Sequence, residues 1–128
     1  PKGRVNFPAK LREDLGDSFI ICKGLDNCLY VYRMSEWDKL VEKTSALPSS
    51  KARTIQRFFF ASAVCCEPDK QGRVLIPQTL RDYAGLTGEI AVIGVSTRAE
   101  IWDSARWDEA NAALTSESVA ETMEELGF

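Results

Sequence analysis

One short unit is written twice in this chain, and that duplication constrains the fold more than any other feature. The fuller copy runs Asp69-Lys70-Gln71-Gly72-Arg73-Val74-Leu75-Ile76-Pro77 and continues through Leu80 and Arg81 to Gly85. The other copy is Lys2-Gly3-Arg4-Val5-Asn6-Phe7-Pro8, followed by Leu11, Arg12 and Gly16, sixty-nine positions earlier. After a one-residue offset the match resumes. Gly24 aligns with Gly94, Val31-Tyr32 with Ile101-Trp102, and Trp37-Asp38 with Trp107-Asp108. Order kept over such a length marks one structural unit used twice.

Each copy reads as a loop, a strand and a helix. Gly72 suits a loop position of positive φ. Val74, Leu75 and Ile76 form an apolar run short enough for a core strand. Pro77 fits the first turn of a helix and Gly85 its end. Phe19–Cys22 and Cys28–Tyr32 are predicted strands joined by the turn composition Gly24-Leu25-Asp26-Asn27. Ser35 offers an N-cap for a helix carrying Trp37, Leu40, Val41 and Thr44 up to Pro48. Packing in a core or an interface explains Trp37 better than an exposed base-stacking role.

Ser49-Ser50 opens a second helix with Ile55, Phe58 and Phe59 on its apolar side, so residues 35–60 form a helical hairpin. Phe58, Phe59 and Phe60 cannot all face one core from one regular helix. Some of them are expected to meet the next subunit, or the helix ends there. Ala61–Cys66 is the next predicted strand, and Ile90–Val95 with Ala99–Trp102 repeat the earlier strand pair. Trp107, Ala110 and Leu114 mark a further helix. Ser118 and Glu121 suit a capping box for a last one with Val119, Met123 and Leu126. Its acidic face reads as a solvated surface, with docking to a neighbouring subunit as the alternative.

With 128 residues and 45% apolar content, the chain has the size of one ordinary domain. Halves of 1–60 and 61–128 would each be marginal alone and are expected to share a core. No apolar run reaches membrane-spanning length, and no signal peptide is visible. The sequence starts at Pro1, so counterparts of Asp69 and of the Ala61–Cys66 strand are expected before it. Of the four cysteines, Cys65 and Cys66 are adjacent, there is no C-x-x-C, and the chain has no histidine. Reduced core thiols fit this better than zinc or disulfides. The net charge of −3 is unevenly spread: residues 1–99 hold 15 Lys and Arg against 11 Asp and Glu, and residues 100–128 hold one Arg against eight acids.

The G-R-V-x-x-P-x-x-L-R pattern resembles the AbrB/SpoVT family of swapped-hairpin DNA-binding domains. Two tandem copies, each closed by a Trp-containing helix, resemble the MraZ family more closely, over roughly residues 1–110. The resemblance implies an α+β fold in which two swapped-hairpin halves interleave into one pseudo-two-fold β-barrel with appended helices. It also implies a bacterial regulator of division and cell-wall genes that binds repeated promoter boxes in double-stranded DNA. The expected location is the cytoplasm, at the nucleoid, and the expected assembly is a closed ring of about eight or more protomers.

The D-x-x-x-R loops are the DNA-facing elements by the same resemblance. The candidate contacts are Lys2, Arg4, Lys10, Arg12, Lys70, Arg73 and Arg81, held by the motif residues Gly3, Pro8, Asp69, Gly72 and Pro77. Arg4 and Arg73 can contact phosphate or guanine edges through a bidentate guanidinium. Arg73 can also close its loop by pairing with Asp69. Arg12 and Arg81 are open to an ion-pair role instead. No cofactor, metal or membrane partner is expected. An Asp69 acid–base dyad would need a mate before Pro1, and an arginine four residues away lowers a carboxylate pKa rather than raising it. The sequence has no histidine base and no G-x-S-x-G or phosphate-binding loop, so catalysis is disfavoured. The competing functional reading is a protein-interaction module, an antitoxin or scaffold.

Overall fold

The computed structural model describes residues 3–128. In chain order the elements are β1 (Arg4–Asn6), α1 (Ala9–Leu15), β2 (Phe19–Lys23), β3 (Leu29–Arg33), α2 (Met34–Ser45), α3 (Ser49–Ile55) and β4 (Val64–Cys66). The second half continues with β5 (Arg73–Leu75), α4 (Gln78–Ala84), β6 (Ile90–Gly94), β7 (Ala99–Asp103), α5 (Ser104–Ala112) and α6 (Ser116–Glu125). The class is α+β, and all strand pairs are antiparallel.

Two sheets form, and both are sewn from the two halves. β1 pairs with β5 as a separate two-stranded ribbon, with Arg4 opposite Leu75, Val5 opposite Val74 and Asn6 opposite Arg73. The larger sheet has the order β4-β2-β3-β7-β6. Its seam is β3 against β7, where Leu29 faces Ile101, Tyr30 faces Glu100 and Val31 faces Ala99.

Strand alternation explains why β2 and β3 are apolar almost throughout: both faces of the sheet are covered. Phe19, Ile21, Leu29, Val31, Ala99 and Ile101 face inward, toward Phe7, Val74, Ile76 and Leu80 from the repeated units. Cys22, Tyr30, Tyr32 and Trp102 face the other way and are packed by Trp37, Leu40, Phe59 and Trp107. Phe7 stacks on Phe19 at 5.6 Å, while Trp102 lies 5.6 Å from Trp107. The inner cluster draws on both halves, so neither half owns a core. The Tyr83 hydroxyl crosses between them and donates to the Gly24 carbonyl at 2.6 Å.

Several local expectations change. Pro8 and Pro77 occupy the N-cap positions rather than the first turns, and their carbonyls accept from Arg12 and Arg81 N–H at 3.0 Å. Leu75 is 56% exposed because period-two alternation aims Val74 and Ile76 inward and Leu75 out. α2 starts at Met34 directly from β3, which leaves Ser35 inside the helix instead of at its cap. β4 begins only at Val64, because a π-helical turn, Gln56–Phe60, prolongs α3 and closes with Ala61 N–H donating to Gln56 O at 2.9 Å.

That wider turn also resolves the three phenylalanines. Phe58 meets Tyr83, Phe59 stacks on Tyr30, and Phe60 packs edge-on to Trp37 at 5.1 Å. All three find partners within the chain, which removes the reason for assigning them to a neighbour. Leu114 falls beyond the end of α5 and is exposed. The last capping box is Thr115 with Ser118, not Ser118 with Glu121.

All four cysteines are free thiols. Burial pushes the Cys22 and Cys28 thiols up to about 12 and the Cys66 thiol up to about 11. A raised folded-state pKa means that folding favours the protonated thiol. The associated stability is intact below the unfolded thiol pKa and is lost as pH rises through the folded values. Stability is therefore expected to stay level near neutrality and fall steeply between about pH 9 and 12. Chemical denaturation across that range checks this, with Cys22→Ala, Cys28→Ala and Cys66→Ala combined to flatten the fall.

The shared core gives a second expectation. Residues 1–60 and 61–128 made separately should show no cooperative melt, and should regain one when mixed. Calorimetry on each half that found independent cooperative transitions would break the shared-core account.

Candidate nucleic-acid interface

The β1–β5 ribbon is too short to hold itself, and its inward pair Val5–Val74 anchors it to the core. The same pleat turns Arg4, Asn6, Arg73 and Leu75 outward. Register then decides the pattern on that outer face. Arg4 stands beside Leu75, and Asn6 beside Arg73, so the two arginines sit on a diagonal, one from each half. A pair of guanidiniums on the outer face of a two-stranded ribbon can contact paired acceptors or phosphates.

The turn before β5 is fixed by Asp69. Its Oδ1 accepts from the N–H groups of Gln71 and Arg73, both at 2.9 Å, and its Oδ2 accepts from Arg73 Nε at 2.9 Å. Gly72 N–H donates to Asp69 O at 2.9 Å and Asp69 N–H donates to Arg73 O at 2.8 Å. The backbone hydrogen bond from Arg73 is the largest reason that the Asp69 carboxyl lies below its ordinary range, with the Gln71 N–H and the Arg73 guanidinium adding to it. It is an ionised acceptor that shapes a loop, the opposite of a carboxyl poised to donate a proton. Both roles weighed for Arg73 thus start from one geometry: its Nε closes the loop while the side chain stays about one-third exposed.

Arg12 and Arg81 do something that the sequence pattern does not reveal. Arg12 Nε donates to Phe7 O at 3.1 Å, and Arg81 Nε donates to Ile76 O at 2.9 Å, each within its own half. Their guanidinium groups then lie across the glycine of the other half. A Cβ on Gly72 would sit 2.7 Å from the Arg12 guanidinium carbon, and one on Gly3 would sit 3.0 Å from that of Arg81. Both glycines also have positive φ, +78° and +73°. The two helix arginines therefore brace the crossed loops, and Arg81 also lines a surface concavity with Gly3 and Arg4.

Of the remaining candidates, Arg4 is exposed and makes no ion pair among the described residues. Lys70 is exposed in the Asp69 turn and Lys10 is exposed on α1. Lys2 lies outside the described residues. Asn6 and Leu75 share the outer face with the arginines but were not among the sequence candidates. Reading Val74-Leu75-Ile76 as a uniformly buried run hid Leu75, and only the pairing register places Asn6 beside Arg73. Among the described residues no cluster of His, Cys, Asp and Glu could hold a metal ion, and no helix is long and apolar enough to cross a membrane.

The ribbon, the crossed arginines and the shared core define a tandem-repeat α+β protein whose two copies complete each other. The family model described as "MraZ protein, putative antitoxin-like" matches twice, at residues 1–58 and 59–126. A protein of Caldicellulosiruptor bescii is 55% identical over 131 residues, covering 99% of this chain and 92% of that protein. One of Acetivibrio thermocellus is 51% identical with the same coverage, and one of Halothermothrix orenii is 50% identical over 133 residues, again covering 99% and 92%. Each carries the name Transcriptional regulator MraZ. The chain belongs to the MraZ family.

The brace yields a stability test. Gly72→Ala places a side chain in a positive-φ site and against Arg12, and should cost roughly 1–3 kcal/mol. Arg12→Ala leaves the Phe7 carbonyl without its charged donor and should cost a similar amount, roughly 1–3 kcal/mol. Arg4→Ala should leave the melting temperature where it was. Parallel denaturation curves for the three variants check the ordering.

Proposed function

We propose that this chain is a transcriptional regulator that binds double-stranded DNA through the outer face of the β1–β5 ribbon. The observation that carries the reading is the diagonal pair Arg4 and Arg73, drawn from the two halves and fixed by the Val5–Val74 register. A two-stranded ribbon is narrow enough to enter a major groove, where arginine takes the paired acceptors of guanine. Asn6 adds a side chain suited to adenine, and Leu75 adds an apolar contact for a thymine methyl. Lys2, Lys10 and Lys70 supply phosphate contacts, and Arg12 and Arg81 contribute by holding the loops. The names of the relatives support the same reading.

In the finer form of this proposal, residues 1–60 and 61–128 are the two swapped-hairpin halves of one pseudo-two-fold barrel. Few cations face DNA from one protomer, so affinity comes from several copies acting together. A ring engaging repeated promoter boxes upstream of division and cell-wall genes meets that need. One ribbon holds DNA weakly at physiological salt. Several on one duplex raise the affinity by roughly 10² or more where their spacings match.

Binding to a promoter fragment with repeated boxes should therefore collapse when the fragment is cut to one box. The logarithm of the affinity should fall with log salt by about one unit of slope per phosphate contact. Arg4→Ala should cost more than Arg73→Ala, because Arg73 is already committed in part to Asp69. The expected loss for Arg4→Ala is roughly 1–3 kcal/mol per contact, with fold and assembly size unchanged. Full-strength binding by a folded, assembled Arg4→Ala protein would take the ribbon out of the interface.

A further inference from the structure

Each of the two short helices after the ribbon strands sends one arginine into the half it does not belong to. Arg12 of α1 is anchored at home, where its Nε donates to the Phe7 carbonyl at 3.1 Å. Its far end reaches the second half, where a Cβ on Gly72 would lie 2.7 Å from both Cζ and Nη1. Arg81 of α4 repeats the arrangement in reverse. Its Nε donates to the Ile76 carbonyl at 2.9 Å, and a Cβ on Gly3 would lie 3.0 Å from its Cζ. Surface concavities extend the same crossing: Arg12 shares one with Glu67 and Pro68, and Arg81 shares another with Gly3 and Arg4. Both arginines are half-buried and make no ion pair among the described residues.

The glycine under each guanidinium immediately precedes an arginine of the ribbon. Gly72 leads into Arg73, and Gly3 leads into Arg4. With φ of +78° and +73°, these glycines set the direction in which the chain enters β5 and β1. A flat guanidinium standing where a side chain would be holds that turn in place. On one side the link is continuous through the backbone: Arg81 Nε holds the Ile76 carbonyl, and the Ile76 N–H donates to the Gly3 carbonyl at 2.7 Å.

We infer that Arg12 and Arg81 are crossed positioning residues for base recognition, Arg12 of the first half aiming Arg73 of the second and Arg81 of the second half aiming Arg4 of the first. This rests on the DNA reading proposed above and assigns each half control over the contact made by the other. A bidentate grip on a guanine edge is geometrically demanding, whereas attraction to phosphate depends on charge and distance. A loop freed from its brace therefore loses base discrimination while its charge stays near the duplex.

Double-mutant cycles on the full chain test the crossing, with affinity measured on a duplex from the region upstream of its own gene. Arg12→Ala alone should weaken binding by about fivefold or more. Added to Arg73→Ala it should change affinity by no more than about twofold, and added to Arg4→Ala it should act at full strength. Arg81→Ala should show the opposite dependence, silent with Arg4→Ala and additive with Arg73→Ala. The base preference lost in Arg12→Ala should be the one lost in Arg73→Ala. Circular dichroism checks the fold of every variant. Arg12→Lys and Arg81→Lys replace any alanine variant that does not fold. They keep a charged donor for the Phe7 and Ile76 carbonyls but not the flat group over the glycine, so they should repeat the pattern with the salt slope of the parent.

A parent without base preference, or one whose preference survives both Arg4→Ala and Arg73→Ala, removes the ribbon reading and this inference together. Where the ribbon reading stands, equal additivity of Arg12→Ala with both ribbon variants makes the brace merely structural and overturns the positioning role. Silence with Arg4→Ala instead of Arg73→Ala places the control within one half and overturns the crossing. A salt slope lower by about one unit with base preference intact makes these arginines phosphate contacts, and likewise overturns it.

Discussion

The pairing of β1 with β5 is the interaction on which the rest of the structure depends. Each strand has three residues, far too few to persist as an isolated hairpin. They come from opposite halves, and the Val5–Val74 pair packs them on a core to which both halves contribute. Remove that pairing and Phe7, Val74 and Ile76 lose the arrangement that caps the inner face of the sheet. The larger sheet repeats the logic at the β3–β7 seam. Neither half can satisfy its backbone or bury its apolar face without the other.

The ribbon separates an inward and an outward set of side chains by simple alternation. Inward residues hold the halves together, and the outward residues between them are free to specialise. The crossed Arg12 and Arg81 side chains lie against glycines whose positive φ and close guanidinium neighbours disfavour a Cβ. Asp69 secures one loop from within, using three hydrogen bonds to groups of Gln71 and Arg73. These groups fix the backbone of the loops, while Arg4 and part of Arg73 stay exposed. On the proposed reading, a site held in this way would meet DNA already shaped, with less ordering cost at binding.

The two halves are alike in the ribbon and different at the periphery. In the first half α3 and its π-turn fold back, and Phe58, Phe59 and Phe60 each meet an aromatic partner. In the second half the matching helix, α6, stands clear with its apolar stripe exposed. Duplication followed by divergence at the arms gives one chain two unlike surfaces.

Much of this was legible in the sequence because it depends on local rules. The repeated Gly-Arg-Val, the prolines before each short helix and the apolar strand pairs specify the elements, and their duplication specifies two tandem copies. The candidate loops and their arginines follow from the same pattern. What remained hidden depends on distance across the fold. Arg12 and Arg81 look like surface cations until the other half brings its glycine over them. Leu75 looks like core until pairing with Arg4 shows which face it occupies. Three adjacent phenylalanines look surplus until a π-turn spreads them over Tyr83, Tyr30 and Trp37. Periodicity and turn chemistry are written in neighbouring residues, so the sequence alone determined the elements and their repetition. Register, face and partner arise where residues tens of positions apart meet, and only the tertiary structure could decide them.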